Sequence, residues 1–181
     1  MVFIECLGAI TGVVGIWLTM RQHIWCFPVG LLSVSISCYV FFNSKLYADA
    51  LQQVAFASLL ILGWFRWSAI SVQQHQVKTL GALSRLSYSV AALGLGWALG
   101  YVLDEHTDAH YPYVDSILTS FCFLAQFLIA QRKIENWVIW MVTNSGYVVL
   151  YIYKDLNVYA GLYAIYFLMA ILGYRQWKSL M

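Results

Sequence analysis

Long apolar stretches separated by short polar joints leave this chain few solvents in which it could fold. Val2 to Met20 opens the sequence, and Val138 to Tyr153 runs without a single charged residue. In water that surface could not be hidden: 62% of residues are hydrophobic and 10% charged, where a soluble domain carries about 25% charged residues. In lipid, a span needs about 20 mostly apolar residues and must satisfy its own backbone, so it is a helix or a closed barrel. Barrel strands alternate in short segments, which unbroken runs such as Leu59 to Trp64 do not. The sequence predicts an all-α integral membrane protein.

Polar breaks divide the chain into seven spans at roughly 3–20, 24–42, 48–68, 86–103, 113–130, 136–153 and 157–177. The first follows no basic region and reads as a span, not a cleavable leader. Arg21, Arg66, Lys78, Arg85, Arg132, Lys133, Arg175 and Lys178 fall on one side, against Lys45 and Lys154 on the other. Cytoplasmic loops carry the basic excess, which predicts an outside N-terminus, a cytoplasmic C-terminus and an outward Asp104–Asp108 segment. Most joints are too short for a soluble catalytic domain, and no phosphate-cradling glycine loop appears, so neither an enzyme nor an ATP-driven pump is expected. Cys6, Cys26, Cys38 and Cys122 lie apart within apolar runs, and His23, His75, His106 and His110 fall in predicted joints without ligand spacing, so no metal or cofactor is expected. No basic face suits nucleic acid.

The chain also repeats itself. Arg21-Gln22-His23-Ile24-Trp25 is echoed by Lys133-Ile134-Glu135-Asn136-Trp137, and Leu46-Tyr47-Ala48 by Val158-Tyr159-Ala160, both 112 residues on; Gly63…Trp67 is echoed by Gly173…Trp177 at 110. This predicts parallel triple-helix repeats in a 3+1+3 plan, with residues 1–68 as the first repeat, 69–112 as a linker containing helix four, and 113–181 as the second. Transporters built from repeats hold substrate near the midplane at the repeat interface.

Polar groups at membrane depth are expensive and mark functional sites by default, with helix packing as the ordinary competitor. Trp137, Trp140, Asn144, Tyr147 and Tyr151 recur at spacings of 3 and 4, one helical face. Such a face could stack a planar cation while the amide bonds a polar substituent. Trp137 fits an interfacial belt equally well. Asp115, Thr119, Cys122 and Gln126 form a stripe that either lines a wet path or bonds neighbouring helices. Gln52 and Phe56 share a face of helix three beside Gln53, and Tyr159, Tyr163 and Tyr166 share one of helix seven, where tyrosines commonly only pack. Gly8, Gly12 and Gly15 read as close helix packing alone.

With these residues in place the sequence resembles the PnuC family of vitamin transporters. The resemblance rests on Glu135-Asn136-Trp137-x-x-Trp140-x-x-x-Asn144, Leu46-Tyr47-Ala48, Asp115-Ser116 and the Gly63…Trp67 and Gly173…Trp177 ends, and it covers almost the whole chain. It implies a SWEET-like fold, a homotrimer with a pore in each subunit, and facilitated diffusion of nicotinamide riboside across the inner membrane, with a cytoplasmic kinase trapping the substrate. A thiamine uniporter is the alternative within the family, and a non-transporting membrane subunit the alternative outside it. The expected substrate residues are Trp137, Trp140, Asn144, Tyr147, Gln52, Phe56, Gln126, Tyr163 and Tyr166.

Overall fold

The structure, a computed structural model, describes residues 2–43, 47–69, 76–107 and 111–181, without the side chains of residues 2–6, 47 and 48. Lys45, Leu46, His75, Asp108 and His110 lie outside the described residues, as do the side chains of Glu5, Cys6, Tyr47 and Ala48. The described chain forms seven helices: α1 (Val2–Met20), α2 (Cys26–Asn43), α3 (Tyr47–Ser68), α4 (Ala82–His106), α5 (Pro112–Ala130), α6 (Glu135–Tyr153) and α7 (Asn157–Lys178). The widest departure from the apolar runs is α4, which continues through Ser84 and Arg85 at one end and Asp104 and Glu105 at the other. A helix closes its hydrogen bonds internally and need not stop where the apolar run does. By length and composition α2, α4, α5 and α7 are each apolar enough to cross a membrane. Helices α3 and α6 are diluted by Asp49, Gln52, Gln53 and Arg66, and by Glu135, Asn136 and Asn144.

Within each triplet neighbours pack in order, α1 on α2 on α3 and α5 on α6 on α7; between triplets α1 meets α7 and α3 meets α5, while α4 rests on α5 alone. The Ser120 hydroxyl donates to the Ala92 carbonyl across that last contact, at 2.8 Å. The loop before α4 is stitched to the α5–α6 turn: Lys78 N–H donates to Arg132 O (3.0 Å) and Ile134 N–H to Lys78 O (3.1 Å).

Two crossing bonds join the triplets. Trp67 Nε1–H donates to Ile129 O at 3.2 Å, and Trp177 Nε1–H to Thr19 O at 3.1 Å. From 67 to 177 and from 19 to 129 is 110 residues in both cases. The chain turns after α1 and α5 agree with this: Gln22 (φ 52°) and Arg132 (φ 54°) are left-handed, also 110 apart. Each turn closes a Schellman pair, His23 N–H to Leu18 O with Gln22 N–H to Thr19 O, and Lys133 N–H to Leu128 O with Arg132 N–H to Ile129 O. Left-handed residues other than glycine are strained and persist only where surroundings hold them. Here the two side chains hold one another, with Arg132 Nη1 donating to Gln22 Oε1 at 3.2 Å.

Gly63 and Gly173 complete the pattern. A Cβ on Gly63 would lie 2.4 Å from Phe27 Cε1, and one on Gly173 2.6 Å from Trp137 Cη2. These contacts set Phe27, not Trp25, opposite Trp137, so the spacing of 112 read from the Trp25 echo gives way to 110. Trp25 is exposed, whereas Phe27 is fully buried.

Gly173→Ala should therefore force a rigid indole to move, at a cost of about 1–3 kcal/mol. Gly161, with nothing within 4 Å of an added Cβ, is the control. Thermal unfolding in detergent should show a lowered midpoint for Gly173→Ala and an unchanged one for Gly161→Ala; equal midpoints would refute the packing.

Candidate functional site

Helix α6 separates its two faces cleanly. Val138, Val142, Ser145 and Val149 are exposed, as a lipid-facing stripe requires, while Trp137, Asn144 and Tyr147 are buried and Trp140 is half-buried. The inward face borders a cavity of about 340 Å³ lined by all six helices of the two triplets and by none of α4. All nine expected substrate residues line it: Trp137, Trp140, Asn144 and Tyr147 from α6, Gln52 and Phe56 from α3, Gln126 from α5, and Tyr163 and Tyr166 from α7. The volume falls near the small end of the range of ligand sites, about 300–1,000 Å³.

Aromatic rings close the end of the cavity nearest the α5–α6 turn. Phe27 meets Trp67 edge-on with centroids 5.0 Å apart, Trp137 meets Trp177 edge-on at 5.5 Å, and Trp67 and Trp177 lie 6.4 Å apart. Trp137 is 2% exposed, which rules out an interfacial belt: its ring belongs to this closure and to the cavity wall together. Beneath the rings the Arg132 guanidinium sits 4.1 Å from the Trp67 centroid. Arg132 makes no ion pair with a carboxylate among the described residues, and burial pushes its pKa down. The ring quadrupole supplies the charge it faces.

Tyrosines line the opposite end. Tyr147 stacks on Tyr151 at 5.7 Å, and Tyr163 lies 4.8 Å from Tyr147, 5.2 Å from Tyr151 and 5.6 Å from Tyr166. The Tyr147 and Thr119 hydroxyls share a buried hydrogen bond of 3.0 Å. The α5 stripe thus serves both of its readings. Thr119 bonds a neighbouring helix and Asp115 pairs with Lys154 Nζ at 3.5 Å, while Cys122 and Gln126 face the cavity.

The cavity's polar groups are mostly carboxamides: Asn144, Gln126, Gln52 and Gln53. Among the described residues none of these four side chains makes a hydrogen bond to protein. A buried amide is ordinarily paired, and each carries both donors and an acceptor, so four unpaired ones around a single space can address a ligand with mixed polarity. Trp140 supplies a flat stacking surface between them.

Gly12, Gly15, Gly30, Ser33, Ser37 and Gln53 border the same space, and sequence reasoning missed their role. The glycine spacing reads correctly in part: a Gly15 Cβ would lie 3.8 Å from the Gly30 backbone, a close helix approach. A Gly12 Cβ, however, would lie 3.1 Å from the Tyr166 hydroxyl, so this glycine also makes room at the cavity. Small residues that create space leave no signal beyond their size. Among the described residues no group of His, Cys, Asp and Glu is arranged to hold a metal.

The family model described as "Nicotinamide mononucleotide transporter" matches residues 2–179. The Escherichia coli (strain K12) protein named nicotinamide riboside transporter PnuC is 27% identical, over 97% of this chain and 84% of its own length. A riboflavin/roseoflavin transporter, RibM, from Streptomyces davaonensis is 22% identical over 96% of this chain and 83% of its own. A solved structure titled as the vitamin B3 transporter PnuC superimposes with a TM-score of 0.79 at 21% identity, covering 98% of this chain and 81% of that one, so the fold is shared. The match along nearly the whole length, on a bundle of apolar helices, makes this chain a multi-pass inner-membrane protein and a member of the nicotinamide mononucleotide transporter family, a family of transporters and not of enzymes.

Proposed function

We propose that this chain imports nicotinamide riboside by facilitated diffusion, binding it in the central cavity. The observation that carries the reading is the pairing of aromatic faces with four unpartnered carboxamides in one buried space. A pyridinium ring is a planar cation that stacks on Trp140 and the tyrosines. Its amide and its sugar hydroxyls match Asn144, Gln52, Gln53 and Gln126, which both donate and accept. The names of the Escherichia coli relative and of the solved structure support this vitamin. The riboflavin relative's name supports a family that varies its cargo.

The 3+1+3 plan, with a SWEET-like arrangement of like-oriented triplets, is supported by the contacts that recur at 110 residues and by the matching of α1 on α7 with α5 on α3. On this plan the triplets rock about the cavity, and the ring closure of Phe27, Trp67, Trp137 and Trp177 is the cytoplasmic gate. The basic ends of α1, α3, α5 and α7 favour an outside N-terminus and a cytoplasmic C-terminus. Uniport carries no driving force of its own, so a cytoplasmic kinase that phosphorylates the vitamin would maintain the inward gradient. The homotrimer rests on the resemblance described above.

Purified protein in sealed liposomes should take up labelled nicotinamide riboside to equilibrium and no further, with unlabelled nicotinamide riboside competing better than thiamine or riboflavin. Absence of uptake with all three vitamins would favour a non-transporting subunit, and thiamine as the best competitor would replace the substrate. Separately, Trp140→Ala and Asn144→Ala should each remove about 1–3 kcal/mol of binding. A tryptophan-fluorescence titration would then show affinity lowered roughly 5- to 150-fold, and unchanged affinity in folded protein would take α6 out of the site.

A further inference from the structure

A second cavity, of about 610 Å³, opens between α4 and α6 at the end of the molecule that holds Trp67 and Trp177. It exists because α4 packs on α5 and reaches no other helix. Its back is the α5 surface at Leu124 and Leu128, and its α6 side is Val138 and Ile139. These walls are apolar, so water is a poor occupant, and the gap faces the bilayer.

The mouth is different. Arg85, in the first turns of α4, and Lys178, at the end of α7, both border the cavity where the helices leave the apolar zone. Both cations are held by the cavity's own residues. Arg85 Nη2 lies 2.8 Å from Glu135 Oε1, which also accepts from Leu80 N–H at 2.9 Å. Lys178 Nζ sits 5.9 Å from the Tyr174 ring centroid and has no carboxylate partner among the described residues. Lys133 adds a third cation nearby, its Nζ donating to Thr79 O at 3.3 Å. Glu135 is the one carboxylate bordering the space, so the rim is net positive.

We propose that this gap binds an anionic phospholipid, with an acyl chain along Leu124, Leu128, Val138 and Ile139 and the headgroup phosphate between Arg85 and Lys178. Basic pockets between membrane helices, set at the headgroup level, recognise acidic lipids in this way. The occupant must combine a long apolar tail with a negative head, which a free phosphate or a neutral lipid does not. The proposal is independent of what the central cavity carries.

The test is native mass spectrometry of the detergent-purified protein after incubation with equal amounts of phosphatidylglycerol and phosphatidylcholine of identical chains. Retained phosphatidylglycerol is expected to exceed phosphatidylcholine severalfold. Lys178→Gln, which leaves the Arg85–Glu135 pair intact at an exposed position, should reduce that preference about fivefold, and Ile139→Trp should reduce retention of both lipids by filling the gap. Millimolar glycerol phosphate should not displace the lipid. Equal retention of the two lipids, an unaltered preference in Lys178→Gln, or displacement by glycerol phosphate overturns the proposal. So does a change of oligomeric mass in Ile139→Trp, which would make the gap a subunit contact. If Ile139→Trp fails to fold, the Lys178→Gln comparison decides.

Discussion

Two indole N–H groups, each donated to a main-chain carbonyl of the opposite triplet, fix how the halves of this molecule sit together. A buried N–H without a partner costs about 1–3 kcal/mol, so Trp67 and Trp177 tie α3 to the end of α5 and α7 to the end of α1. Everything above that level follows from the tie. With the ends joined there and neighbouring helices packed only in order, α2 and α6 do not meet, and the space between the triplets remains open as the cavity. The left-handed turns at Gln22 and Arg132 let each chain turn sharply enough to bring the next helix back beside its predecessor.

The bundle itself was legible in the sequence because lipid imposes a simple rule, and apolar length alone located the helices. The limits of α4 were less so, since charged residues at its ends extend a helix that hydropathy would cut short. The α6 face was legible for a second reason: Trp137, Trp140, Asn144 and Tyr147 advertise themselves by type as well as by spacing. The contribution of α2 was hidden. Gly30, Ser33 and Ser37 matter by being small, and smallness looks the same whether it admits a ligand or a neighbouring helix.

The repeat was legible in outline and misregistered in detail. Matching Trp25 to Trp137 follows the letters, but the fold matches positions by the glycine they press upon, and Phe27 presses on Gly63 as Trp137 presses on Gly173. An exposed tryptophan and a buried phenylalanine two residues apart are easily confused when only aromatic character is compared.

At the spacing of 110 residues Gly30 stands where α6 has Trp140, Val34 where it has Asn144, and Ser37 where it has Tyr147. One side of the cavity is furnished and the other nearly bare. Cargo selection is thereby concentrated on a single helix, while the residues that lock the bundle, Phe27, Trp67 and Trp177, stand outside that furnished patch; Trp137 alone belongs to both. A protein so divided can exchange the vitamin it recognises by altering a few positions of one helix without renegotiating its architecture, which gives a physical route by which relatives sharing this fold come to bear the names of different vitamins.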